Sequence, residues 1–336
     1  DGWRPLAGRY GLTMPNVSGI DHAIGYTALA NGSIDVKDAY STDAKIDENN
    51  LVVLQDDLHF FPEYKAVFLY RLQLDRRAIA ALQQMPRIDE KEMIALNAAA
   101  ERSKNYAYAA TLFFHPSAPN DRAPQRLLAP ELAHWIGRHL ELTGISLLLS
   151  ILTGLPLGIA ASRGGALGQA ILAIVGMIQT IPSLALLALL VPVPFLGISP
   201  TTAIVALFLY GLLPIVRNTA TGLQEIAPAL RDSAIALGLE PTARLRKIHL
   251  PLASRTILAG IKTSAVINIG TATLAALIGA GGLGEPILSG LNLNDNATIL
   301  EGAIPAALLA LLVQGLFDLL DRILIPRGLR LKSCPA

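Results

Sequence analysis

The chain has 336 residues, 52% of them hydrophobic and 16% charged, with a mean hydropathy of +0.47, which excludes an ordinary soluble domain pair and places part of it in lipid. A net charge of +1, from 27 basic and 26 acidic side chains, supplies no basic field for holding nucleic acid. The single cysteine, Cys334, excludes an internal disulfide framework and a cysteine metal cluster; the six histidines (His22, His59, His115, His134, His139, His249) lack zinc-site spacing and read as surface or interface residues, so no metal or cofactor is expected.

Charge divides the chain. Residues 1–130 hold 30 of the 53 charged side chains and 13 of the 18 aromatics. A soluble domain over 1–115 is therefore expected, then a linker over 116–130 with prolines at 116, 119 and 124, then a membrane domain over 131–332. Asp1 has no initiator methionine, basic n-region or apolar h-region before it, so the chain reads as part of a longer one.

In chain order, the soluble part reads as a strand near Leu12–Val17, a helix over Asp21–Ala30 closed by Gly32, and strands at Ile34–Tyr40, Leu51–Leu54 and Lys65–Tyr70. Helices follow over Arg76–Met85 and Glu90–Arg102, with Asp75 and Asp89 as caps. The pattern predicts half of an α/β lobe. Five apolar runs beyond it predict an α-helical transmembrane bundle: Leu142–Ala161, Leu167–Val191, Thr201–Val216, Thr256–Ile278 and Ile299–Ile325, the third of them short and the fifth fraying into Asp318, Asp321 and Arg322. Pro156, Pro182 and Pro214 fall inside these runs, which a bundle tolerates when neighbouring helices satisfy the freed carbonyls.

Lysine and arginine set the orientation. The connections after the first and third spans and the C-terminal tail carry eleven of them, and the connections at Pro192–Pro200 and Gly279–Thr298 carry none. The basic side is expected to be cytoplasmic, with the C-terminus inside and the soluble domain extracytoplasmic. Lys262 lies seven residues beyond Arg255 and can snorkel to the same interface.

The long basic loop holds Asp232, Ser233 and Ala234, then Gly238, then Ile248, Leu250 and Pro251. Small side chains let a short helix approach a partner, Gly238 can end it in a left-handed conformation, and Pro251 suits the first turn of the next helix. This spacing is similar to the E-A-A-x3-G-x9-I-x-L-P signature of importer-type ABC permeases, with Asp232 for the glutamate and Ser233 for the first alanine. The resemblance covers roughly residues 130–330. It implies that the loop docks onto a cytoplasmic ATP-hydrolysing subunit and that two permease copies work together. Gly279–Gly284 is not a dinucleotide fingerprint, because it follows a membrane span and not a strand, and reads as a capping turn. No Walker A sequence occurs, so ATP chemistry must come from another polypeptide and the chain is not itself an enzyme.

In the soluble part, Asp1-Gly2-Trp3, the run Gly25–Val36, Ala39-Tyr40-Ser41-Thr42-Asp43 and Leu54–Pro62 resemble the C-terminal part of substrate-binding proteins for glycine betaine, choline and carnitine. That resemblance implies a two-lobe binding domain whose first lobe would precede Asp1, and a quaternary-ammonium ligand. Such a cation has no N–H to donate, so aromatic faces must recognise it. Tyr26 and Tyr40 are the candidate faces, with Thr42 and Asp43 beside them; a core-facing Tyr26, a packing Tyr40 and a hydrogen-bonded turn at Ser41–Asp43 are the structural alternatives. Asn49 and Asn50 stand where a further aromatic would be expected. The loop signature is silent on solute, leaving methionine or a sulfonate open, and a ligand-gated channel or secondary transporter is the alternative from another class.

Overall fold

The computed structural model describes residues 2–20, 22–62, 64–103, 106–115, 128–292 and 295–324. It divides into two units, Asp1–Arg126 and Leu127–Ala336. The expected linker lies almost wholly outside the described residues.

The first unit carries α1 (Trp3–Tyr10), α2 (His22–Ala30), α3 (Lys45–Glu48), α4 (Arg76–Gln83), α5 (Glu90–Ser103) and α6 (Tyr106–Phe114). The caps act as their side chains dictate: Asp75 accepts from the Arg77 N–H at 2.7 Å and Asp89 from the Glu92 N–H at 2.8 Å. Gly32 sits at φ 72 just past α2. The strand positions need correction. Among the described residues no strand forms, and 12–17, 34–40, 51–54 and 65–70 run without ladder partners. Apolar alternation is necessary for a strand, but a neighbouring strand must also take its N–H and C=O groups. Here Leu69 is 94% exposed and Val52 85%, so these segments bury no face in this unit.

One local knot accounts for the Leu54–Pro62 run. The Asp56 carboxylate accepts from the backbone N–H of Phe60 and Phe61, both at 2.9 Å, and from the Tyr10 hydroxyl. These donors, the tyrosine first, hold the Asp56 carboxyl below its ordinary pKa.

The second unit comprises α7 (Leu128–Ala161), α8 (Gly165–Thr180), α9 (Ser183–Leu190), α10 (Pro200–Gln224), α11 (Pro228–Ala236), α12 (Pro241–Arg244), α13 (Leu250–Thr271), α14 (Gly284–Asn292) and α15 (Asn296–Leu324). Among the described residues, four helical stretches are long and apolar enough to cross a membrane, or five if α8 and α9 form one bent span. α10 is central, with 61% of its apolar window buried against 6% for α15. Its 25 residues reach about 37 Å at 1.5 Å each, so the run expected to end at Val216 spans hydrocarbon and continues past it. Ile215, Leu223 and Ile226 pack with Ala253, Ile257 and Ile261 of α13. Small residues permit this closeness: a Cβ on Gly222 of α10 would stand 2.8 Å from Thr256 Cβ of α13, and one on Gly158 of α7 would stand 2.5 Å from Thr219 Cβ of α10. Pro214 lies within α10, and its carbonyl accepts from Asn218 Nδ2 at 2.8 Å.

The prolines divide in their effects. Pro182 does not sit inside a straight span, because a residue before proline is driven to extended backbone. Ile181 takes φ −69 and ψ 126, and α8 and α9 meet at 97°. The freed Ile181 carbonyl accepts from the Tyr210 hydroxyl of α10. Pro251 stands in the first turn of α13, as expected, but α13 does not start afresh there: a π turn over Leu245–His249 joins it to α12 in one continuous helical stretch, Pro241–Ile278. A wider turn is where a helix accommodates a missing N–H. Lys262 pairs with Asp318 of α15 and is not held by the interface alone.

His139 is also a correction. It is fully buried, its Nε2 3.0 Å from the Ile269 carbonyl while Nδ1 accepts from the Leu283 N–H at 3.3 Å. That neutral tautomer satisfies both nitrogens. With Arg138 Nε donating to the Ala280 carbonyl at 3.0 Å and Trp135 Nε1 to Glu285 at 2.9 Å, α7 grips the glycine turn that follows residue 278. Gly279, Gly281 and Gly282 all take positive φ there, a structural turn as its position in the sequence suggests.

Candidate functional site

Two constellations carry chemistry, one in each unit. In the first, α2 places His22 and Tyr26 four residues apart and hence on one face. The turn at 40–43, closed by the Asp43 N–H on the Tyr40 carbonyl at 3.0 Å, brings Asp43 and Tyr40 to the same place. Asp43 Oδ2 accepts from the Tyr26 hydroxyl at 2.6 Å, from the Tyr40 N–H at 3.2 Å, and meets His22 Nε2 at 2.8 Å. All three contacts fall on Oδ2, so that oxygen is committed to positioning its neighbours. Burial, then the Asp43 carboxylate, raises the Tyr26 hydroxyl well above the usual phenol range, so it remains a donor.

The rings form an aromatic group. His22 lies 5.6 Å from Tyr26, edge-on, and 5.4 Å from Tyr40. Tyr26 is buried and Tyr40 is 59% exposed, so one ring is fixed and the other faces solvent. The ammonium of Lys37 stands 4.4 Å from the Tyr26 ring centroid. Thr42 contributes its backbone carbonyl, which accepts from Asn97 Nδ2 of α5 at 2.8 Å and anchors the turn. The fold brings Tyr26, Tyr40 and Asp43 together with Thr42 as anchor, and the burial of Tyr26 and the hydrogen-bonded turn at 40–43 are also what the packing alternatives expect. His22 and Lys37 were missed in the sequence; the four-residue spacing from His22 to Tyr26 was the available signal.

In the second unit, α11 carries Asp232, Ser233 and Ala234. Ala234 is buried, which requires its small side chain, and Ser233 Oγ bonds back to the Ala229 carbonyl at 2.7 Å. Gly238 takes φ 70 while its N–H reaches the Ile235 carbonyl at 2.9 Å and the Leu239 N–H reaches that of Ala234 at 3.4 Å. These bonds make a Schellman termination, which glycine favours. Arg231 fixes the helix by donating to the Leu223 and Gln224 carbonyls at the end of α10. Leu230, Ile235 and Leu237 remain exposed. Ile248, Leu250 and Pro251 lie on the following helical stretch, and Leu250 packs against the Leu223–Ile226 core.

The short helix, its glycine stop and the return into the bundle thus lie between two long apolar helices. Residues 150–329 match the family described as binding-protein-dependent transport system inner membrane component. The chain belongs to that family. This permease also carries, over residues 1–113, a match to the substrate binding domain of ABC-type glycine betaine transport system. It is therefore an importer permease subunit joined to a substrate-binding domain in one chain.

Its relatives include the choline transport system permease protein OpuBB of Bacillus subtilis (strain 168), 42% identical over 204 residues, which are 60% of this chain and 93% of the relative. The glycine betaine/carnitine/choline transport system permease protein OpuCB of the same organism is 40% identical, covering 60% of this chain and 91% of its own. The osmoprotectant import permease protein OsmW of Salmonella typhimurium is 40% identical over 59% and 94%. The inward-facing MetNI methionine ABC transporter shares the fold, with a TM-score of 0.54 and 24% identity over 58% of this permease and 97% of that chain.

Proposed function

We propose that this permease imports quaternary-ammonium osmoprotectants of the glycine betaine, choline and carnitine class, as one of two permease copies on cytoplasmic ATP-binding subunits. The observation that carries the solute is the aromatic group of His22, Tyr26 and Tyr40, already holding an alkylammonium against a ring face. Aromatic faces suit a cation that lacks N–H groups, and the names of the permease relatives support the same class. The methionine transporter supports the fold and carries no solute to this chain.

Tyr40 and Tyr26 supply ring faces, Asp43 orients them, and Thr42 anchors the turn. Tyr40→Ala is expected to weaken choline or glycine betaine binding by about 0.5–2 kcal/mol, the range of one cation–π contact, and Tyr40→Phe to cost less because the face remains. Asp43→Asn is expected to act through the rings it holds. Calorimetric titration of the three variants checks this, and unchanged binding in a folded Tyr40→Ala removes Tyr40 from the site.

The ATP-binding subunit docks on α11, where Asp232, Ser233, Ala234 and Gly238 shape the helix and its stop, while Ile248, Leu250 and Pro251 anchor the return into the bundle. The basic loops place this face and the C-terminus in the cytoplasm and the binding domain outside. Cys334, the sole cysteine, tests the orientation without mutation: a membrane-impermeant maleimide is expected to label it only after permeabilisation, and labelling of intact cells reverses the topology.

A further inference from the structure

Lys37 stands where a ligand cation would. Its ammonium lies 4.4 Å from the centre of the Tyr26 ring, 3.2 Å from His22 Nδ1, and donates to the Asp38 carbonyl at 2.5 Å. With Nδ1 accepting from the ammonium, the imidazole keeps its proton on Nε2, the atom 2.8 Å from Asp43. The same carboxylate that orients Tyr26 thus also orients the ring that holds Lys37 in place.

Gly25 makes room for this arrangement. A Cβ at position 25 would stand 2.4 Å from Lys37 Cε and 3.2 Å from Cδ, so the lysine stem crosses α2 only because residue 25 has no side chain. The ring face, the imidazole acceptor, the carbonyl and the glycine gap together form a seat for an alkylammonium. A quaternary ammonium can use the face of Tyr26 but neither acceptor, since it has no N–H. It also cannot share the face with a second cation, because like charges in contact repel.

We propose that Lys37 is a tethered competitor, occupying the Tyr26 face when no solute is bound and yielding it to the solute cation. The proposal rests on reading the aromatic group as the solute site. Its consequence is a lowered apparent affinity, since only the fraction of molecules with Lys37 displaced is competent to bind.

Lys37→Met keeps the length of the stem and removes the charge. Gly25→Ala keeps the lysine and pushes its flexible stem aside, at no cost in helix propensity. Both are expected to bind choline and glycine betaine about 2- to 30-fold more tightly than the unmodified chain, the factor set by one cation–π contact. The assay is equilibrium binding of each radiolabelled solute to the full chain in lipid nanodiscs. In 13C-lysine spectra, the upfield ring-current shift of the Lys37 Cε protons is expected to vanish on adding choline, as it does in Gly25→Ala. Equal affinity in all three proteins overturns the competitor while leaving the solute site standing. Weaker glycine betaine binding in Lys37→Met with choline unaffected also overturns it, by making Lys37 a partner of the solute carboxylate. Failure of all three to bind either solute removes the solute site and the competitor with it.

Discussion

Gly284→Ala is expected to destroy the packing of the membrane unit. The added Cβ would lie 1.8 Å from the Thr273 carbonyl oxygen and 2.7 Å from its carbon, both backbone atoms of a tight helical turn, with Ala276 Cβ at 3.0 Å. Neither side can give: Thr273 belongs to the end of the stretch that crosses the bundle, and Gly284 is held on both sides, by Arg138 and His139 at Ala280 and Leu283 before it and by Trp135 at Glu285 after it. Overpacking with no room to relax places the cost at about 4 kcal/mol or more, the extreme of single substitutions. Gly238→Ala is the matched control. It meets nothing within 4 Å and loses only the left-handed backbone, about 1 kcal/mol. Size-exclusion chromatography and thermal denaturation of both in detergent are expected to show an aggregated first variant and a monodisperse second one; equal behaviour contradicts the assigned packing.

Ile235→Glu is expected to abolish uptake while leaving insertion and thermal stability unchanged. Ile235 is 56% exposed and Leu237 76% exposed, on and just beyond a nine-residue helix outside the apolar spans. An exposed apolar face on a helix anchored by Arg231 suits a protein groove, and burial of one such side chain contributes about 1.5–3 kcal/mol to docking. A carboxylate in its place must be desolvated without a partner, so the substitution turns a favourable burial into an unfavourable one. Normal transport by inserted Ile235→Glu removes α11 as the docking element.

Much of this architecture was legible because it rests on local chemistry. Asp75 and Asp89 cap the helices their positions suggested, and Gly238 has the left-handed geometry that its place after a short helix implies. The apolar runs locate the bundle, since only internally bonded helices of about 20 residues satisfy the bilayer. Other features depend on partners distant in sequence. Pro182 reads in the sequence as a proline tolerated within a span, and the Tyr210 hydroxyl that donates to the Ile181 carbonyl at the actual break is 29 residues away. His139 resembled a surface residue until Ile269 and Leu283, more than a hundred residues on, supplied both of its hydrogen bonds. The strands failed for the same reason, because alternation records a face and not the neighbour that pairs with it. At the candidate solute site, Tyr26 and Tyr40 were singled out by the family resemblance together with cation chemistry, and the fold brings them to one place. His22 and Lys37 were not, because the lysine reaches the ring across Gly25, a gap that only the folded chain reveals.

ATP-driven accumulation of radiolabelled choline, glycine betaine and methionine by proteoliposomes containing this permease and its ATP-binding subunit decides whether quaternary ammonium compounds are its cargo. The expected result is uptake of choline or glycine betaine, suppressed by an excess of the other quaternary ammonium and unaffected by methionine. Accumulation of methionine, or of none of the three by folded protein that hydrolyses ATP, would contradict it.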